Sequence, residues 1–268
     1  MDAGIRPASE PRPFEPVEVR LPGHAPVWGV GPAETMSVWR EMTPDGMYGR
    51  AAARLRPGDR VLDIGANIGL ASVFFHDVQP GVTTVAVEPA PDLYACLRAN
   101  LAAHVPGSEA VRAAVTDRVG RSAFVYYPNA PSNSGLHADP VTDDELTRRY
   151  LANSGVEEEF IDMVLEGLHD GVSLEVPTLT VSTLLRERPY ADFALLKVDV
   201  ERAEWEVLRG IEPADWSRIG EVVAEVHDEQ GRLDACCALL RSRGFRVTVD
   251  QDPALAGTEL YEIEARRI

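Results

Sequence analysis

The segment Val61-Leu-Asp-Ile-Gly-Ala-Asn-Ile-Gly-Leu70 is suited to hold a ligand against the backbone. An apolar run ends in Asp63, turns through Gly65, Ala66, Asn67, Ile68 and Gly69, and enters a helix. Glycines at 65 and 69 permit a tight turn and close ligand approach, with helix amides aimed into the site. A dinucleotide loop spaces its glycines G-x-G-x-x-G, and Asn67 stands at the middle position here. The loop therefore leaves less room for a pyrophosphate. It suits a nucleoside lacking phosphates, whose positive groups would favour a nearby acid such as Asp63. A second acid is expected roughly 20 residues on, where a carboxylate can accept ribose hydroxyls. Val85-Ala-Val-Glu-Pro89 puts Glu88 and Pro89 at such a strand end. Capping the helix that opens at Pro91 is the structural alternative for Glu88. Thr116 and Asp117 close Ala114-Val-Thr-Asp117 and are placed to meet the amino group of a base, or else form a plain turn.

Two further strand ends carry charge. In Leu195-Leu-Lys-Val-Asp-Val-Glu201, strand alternation sends Lys197, Asp199 and Glu201 to one side. Charges on a buried strand are costly unless paired, so a Lys197–Asp199 pair is the structural reading. The functional one puts Asp199 beside both cofactor and substrate. Lys197 is also the only lysine, in a chain whose other 25 basic residues are arginine. Glu221-Val-Val-Ala-Glu-Val-His-Asp228 would bring Glu225 and His227 next to Asp199. Asp199 and His227 are the candidates for a general base, with Lys197 supporting them. In a variant, Asp199, Glu225 and Asp228 hold a divalent ion.

These residues need a frame in which strand ends converge. Apolar strands read at 60–64, 82–87, 110–115, 193–198 and 221–226, with helices at 68–78, 91–104, 203–210 and 233–243. Strand-like segments at 245–249 and 259–265 close the chain, and 122–127 is a short extra strand. Alternation of this kind predicts an α/β fold, a doubly wound parallel sheet with helices on both faces. Residues 1–50 read as an irregular arm and cap, because 7 of the 20 prolines fall before residue 33. Trp28, Met36, Trp39, Met42, Met47 and Tyr48 in that cap show no clean period. They are plain core or a pocket lining, on one helix. Residues 51–268 form the main domain, interrupted at 129–175. Acidic amphipathic helices at 140–153 and 157–169 make that insert either a solvated face or a lid or dimer arm.

Composition limits the partners. The formal net charge of −17 repels phosphate backbones and anionic lipid, which argues against nucleic-acid and membrane-surface binding. No run approaches the roughly 20 apolar residues of a membrane span. The first residues lack the apolar core of a secretory leader. Cys96, Cys236 and Cys237 fit a reduced compartment, so a cytoplasmic protein is expected.

Together, the loop from Asp63 to Gly69, the Val87-Glu-Pro89 strand end, Leu196-Lys-Val-Asp-Val-Glu201 and Ala224-Glu-Val-His227 resemble the FkbM family of S-adenosylmethionine-dependent methyltransferases. The four blocks occur in the family's order between about residues 57 and 244. The resemblance implies a class I methyltransferase fold, Rossmann-like, with seven strands in the order 3-2-1-4-5-7-6. It implies O-methylation of a hydroxyl on a natural product or sugar, with S-adenosyl-L-methionine as donor; a divalent metal is possible but not favoured. Gly65, Ala66, Asn67 and Gly69 would then shape the cofactor loop. Asp63 would face the methionine moiety, Glu88 the ribose and Asp117 the adenine. Arg202 stands where the family usually has Gly, and Ser182 where it usually has Asp. A nicotinamide-dependent oxidoreductase and a non-catalytic cofactor-binding protein are the alternatives.

Overall fold

The computed structural model describes residues 5–7, 14–189 and 192–268. A seven-stranded sheet organises them. Its strands are β1 (Arg60–Ile64), β2 (Thr83–Val87), β3 (Glu109–Val111), β4 (Phe193–Val198), β5 (Ile219–His227), β6 (Phe245–Asp250) and β7 (Leu260–Arg267). Their spatial order is 3-2-1-4-5-7-6. β1 to β5 run parallel, and β7 pairs antiparallel with both β5 and β6.

The helices are α1 (Pro32–Glu41), α2 (Met47–Ala52), α3 (Leu70–Val78), α4 (Pro91–His104), α5 (Pro140–Asn153), α6 (Glu158–Leu165), α7 (Val181–Arg186), α8 (Glu204–Arg209) and α9 (Arg232–Ser242). One face of the sheet, with Leu62, Ile64, Leu196, Val198, Val222 and Ala224, packs on α7, α8 and α9. The alternate residues Val61, Leu195 and Val223 pack on α2 and α3. Both faces are covered, which is why these strands read as continuous apolar runs rather than alternating ones. Leu62 and Ile64 are fully buried, and each contributes about 1.5–3 kcal/mol of transfer free energy.

The expected third strand, 110–115, is two strands. β3 ends at Val111, and Ala114–Val115 belongs to a second sheet. That sheet is centred on Val172–Leu179, which pairs parallel with Ala114–Val115 and Arg6–Pro7 and antiparallel with Gly120–Tyr126. Val172–Leu179 is a strand absent from the sequence pattern above; Pro177 sits inside it, and proline cannot donate to a ladder. It also takes in residues first assigned to the insert. Helix α6 ends at Leu165 rather than 169; Gly167, at φ 70°, turns the chain in the left-handed conformation that commonly follows a helix. Helix α7 was missed, although Thr180 caps it by accepting the Thr183 N–H at 3.0 Å. The cap carries two helices and a hairpin of Val17–Val19 with Val27–Gly29, not one helix.

Candidate active site

The carboxyl ends of β1, β2, β4 and β5 open into one cavity of about 580 Å³. The turn after β1 reaches it through Gly65, Ala66 and Asn67. Gly65 has φ 72°, and a Cβ there would lie 1.6 Å from the Asp199 carbonyl oxygen. Glycine is therefore demanded by the neighbouring strand end as well as by the turn. Gly69, at φ 87°, does not line the cavity; a Cβ there would meet Leu97 of α4 at 2.7 Å, so its smallness serves helix packing. Asn67 adopts φ 51°, a conformation that Asn tolerates better than most residues. This turns its N–H onto Glu88 Oε2 at 3.0 Å, while the Ala90 N–H donates to Oε1 at 2.8 Å. Burial pushes the Glu88 carboxyl up to about 7, against the pull of those two N–H groups and of Lys197. Pro89, Leu93, Ala113, Ala114, Val115 and Phe124 complete this side of the wall.

Three expected contacts are corrected here. Asp63 does not reach the cavity. It is fully buried, with Oδ2 accepting from Ser72 Oγ at 2.7 Å and Oδ1 at 3.2 Å from Lys197 Nζ. Thr116 and Asp117 lie outside it as well. The chain has already crossed to the second sheet, where the Thr116 N–H donates to the Leu179 carbonyl at 2.9 Å and Asp117 pairs with Arg209 at 3.3 Å. Ala113, Ala114 and Val115 line the cavity in their place. Finally, Asp199, Glu225 and Asp228 do not form a metal-holding set. Asp228 Oδ1 accepts the Leu233 N–H at 3.1 Å, and no group of three or more His, Cys, Asp or Glu suited to a metal occurs among the described residues.

Across the cavity, Lys197 is buried and touches Asp63, Asp199 Oδ2 at 3.3 Å and the Gly65 carbonyl at 2.7 Å. Burial opposes its charge, but Asp63 and Asp199 outweigh it and raise its pKa. Tyr48 of α2 extends to the strand ends, its hydroxyl 3.1 Å from both Asp199 Oδ2 and Glu225 Oε1. Burial, then Asp199, raises Glu225 and Glu201 well above the usual carboxylate range. Desolvation within the cavity wall and the charge of Asp199 push Glu41 up to about 8. His227 lines the cavity with both nitrogens engaged, Nδ1 3.3 Å from Glu204 and Nε2 3.4 Å from Glu201. Asp199 thus keeps a carboxylate open to the cavity, while His227 holds Glu201.

Tyr48, expected as plain core or a pocket lining, lines the cavity, and so does Glu41, which the sequence reading does not name. The aromatic and Met-rich run before residue 50 was their only signal. Met42 and Met47 of the cap, Leu146, Thr147, Tyr150 and Leu151 of α5, Leu255, and Tyr261 of β7 also line the cavity.

This strand order, with a glycine turn after β1 and an acid after β2 facing one cavity, defines a class I methyltransferase. The Methyltransferase FkbM domain matches residues 63–247. The chain is 44% identical to 31-O-demethyl-FK506 methyltransferase FkbM of Streptomyces tacrolimicus, over 93% of this chain and 96% of that one. It is 32% identical to methyltransferase sdnD of Sordaria araneosa, over 90% and 93%. The crystal structure of methyltransferase FkbM from Methylobacillus flagellatus KT is similar with a TM-score of 0.47 and 12% identity, over 79% of this chain and 44% of that one. The chain belongs to the FkbM methyltransferase family. Membership implies S-adenosylmethionine as donor and decides against the nicotinamide alternative.

The residues present fit that donor. Glu88 offers a buried carboxylate at the wall, each oxygen taking one N–H and retaining a lone pair for a ribose hydroxyl. The small side chains at 113–115, with Leu93 and Phe124, leave an apolar slot for the adenine.

Proposed function

We propose that this chain transfers a methyl group from S-adenosylmethionine to a hydroxyl oxygen of a small-molecule acceptor. The observation that carries the reading is Asp199, an open carboxylate in the same cavity as the nucleoside-suited wall. When bound, the donor supplies a sulfonium methyl group to in-line attack. The protein's part is to hold the acceptor oxygen on that axis, and Met42, Met47, Leu146 and Tyr150, which line the cavity, are placed to do so. Lys197 Nζ and the Tyr48 hydroxyl both meet Asp199 Oδ2 and orient the carboxylate. Asp199 then takes the hydroxyl proton as oxygen attacks. The relative acting on 31-O-demethyl-FK506 supports oxygen as the acceptor atom.

The net charge of −17 and the carboxylates around the cavity favour a small, non-anionic acceptor over nucleic acid. Cys96, Cys236 and Cys237 are free and buried, in keeping with a cytoplasmic enzyme. The cap helices α1 and α2 and the insert helices α5 and α6 serve as acceptor-side additions to the methyltransferase domain.

Incubation with methyl-labelled S-adenosylmethionine and 31-O-demethyl-FK506 tests the reading. Label in an ether of the acceptor, with S-adenosylhomocysteine released, is expected. Label on nitrogen or carbon, or no calorimetric binding of S-adenosylhomocysteine, overturns it.

A further inference from the structure

Arg202 takes no part in the chemistry described above, yet its setting is unusual in three ways. Glu201 and Arg202 have φ of 52° and 70°, two successive non-glycine residues in the left-handed region. Such strain persists only where the surroundings enforce it. The Arg202 side chain is 2% exposed, and arginine is almost never so buried unless paired. Its guanidinium pairs with Asp143 of α5 and, at 2.8 Å, with Glu229 after β5. Its N–H donates to Glu204 at 2.8 Å, and its carbonyl accepts from Arg232 at 2.7 Å.

Asp143 is itself buried and receives the Tyr127 hydroxyl at 2.7 Å and the Asp139 N–H at 3.1 Å. From Asp143, which itself lines the cavity, α5 runs on through Leu146, Thr147 and Tyr150, which line it too and which the proposed function takes as the acceptor side. One guanidinium therefore fastens the acceptor wall to the loop that carries Glu201. Glycine at 202 would relieve the backbone but leave Asp143 buried without its cation. The cofactor wall, built from the ends of β1 and β2 and from 113–115, shares none of these contacts.

We propose that Arg202 is a positioning residue for the acceptor, holding α5 in register with the acids at the ends of β4 and β5 while leaving cofactor binding independent. Arg202→Gly and Asp143→Asn test this by amide hydrogen exchange and by calorimetry with S-adenosylhomocysteine. Exchange across residues 140–153 should accelerate by roughly tenfold or more while β1 and β4 stay protected. Affinity for S-adenosylhomocysteine should stay within about twofold, as for independent sites. With 31-O-demethyl-FK506, kcat/KM for the acceptor should fall by roughly 10²-fold, the cost of a displaced reactant. The KM for the donor should not move. This kinetic arm rests on the methyl-transfer reading; the exchange arm does not. If the wild type leaves that acceptor unmethylated, the functional reading loses its support while the exchange data still decide the role of Arg202. Unchanged exchange in 140–153 overturns the proposal. So does acceleration spread equally over the sheet, or lost affinity for S-adenosylhomocysteine. Should Arg202→Gly fail to fold, Asp143→Asn preserves side-chain size and carries the same readings.

Discussion

Replacing Lys197 by Met should destabilise the fold by about 3–5 kcal/mol, the cost of removing one partner from a buried ion pair. The structure shows where that cost arises. Nζ stands 3.2 Å from a fully buried Asp63 and 3.3 Å from Asp199. At an effective dielectric of about 20, a unit pair at 3.2 Å is worth about 5 kcal/mol before desolvation. Methionine fills most of the volume, so the loss is electrostatic. It leaves Asp63 with Ser72 as its remaining side-chain hydrogen-bond donor. The sign with pH follows from the raised Lys197 pKa. Its stabilisation is fully present below the unfolded lysine value of about 10.4 and is lost as pH rises through the higher folded value. Urea unfolding of wild type and Lys197→Met at pH 7 measures the difference, and thermal melts should fall by roughly 2–4 °C per kcal/mol. The double variant Lys197→Met with Asp63→Asn should recover part of the loss, because the orphaned charge is gone. A single variant within about 1 kcal/mol of wild type would refute the reasoning.

Four further outcomes are expected. Glu88→Ala should weaken S-adenosylhomocysteine binding by about 2 kcal/mol, the worth of charge-assisted hydrogen bonds to the ribose, read by calorimetry. Because burial raises Glu88 to about 7, wild-type affinity should fall as pH drops through that value; equal slopes in Glu88→Gln would assign the titration elsewhere. Gly65→Ala, with its Cβ 1.6 Å from the Asp199 carbonyl, should lower the melting temperature sharply and abolish cofactor binding. An unshifted melt would count against that close approach. Asp199→Asn should keep cofactor affinity within a few-fold yet lower turnover by roughly 10²–10⁴-fold, and full turnover would remove Asp199 as the base.

Much of the site was legible because its signals are local. The turn at Gly65 and the acid at Glu88 each sit within one strand-to-loop segment, where residue type and backbone geometry are tightly linked. Asp63 was misread because its direction depends on register. Lys197 is its Cα partner across β1 and β4, so the cation draws the carboxylate into the sheet. Thr116 and Asp117 miss the cavity for a similar reason. Ala114–Val115 leaves the main sheet only because Val172–Leu179, far along the chain, offers it a ladder. Tyr48 reaches Asp199 across 151 positions, and nothing in its own segment shows that it will.

The solitary lysine has a practical consequence. Lys197 is 3% exposed, so reagents that acylate or alkylate lysine amines should react with it only when the native sheet opens. A lysine-specific protease has one cleavage site in the whole chain, after Lys197, in the middle of the central sheet and inaccessible while β4 is paired. Cleavage into two pieces, 1–197 and 198–268, therefore reports opening of the sheet at a single peptide bond. Its rate under native conditions gives the population of the open state without any label or engineered probe.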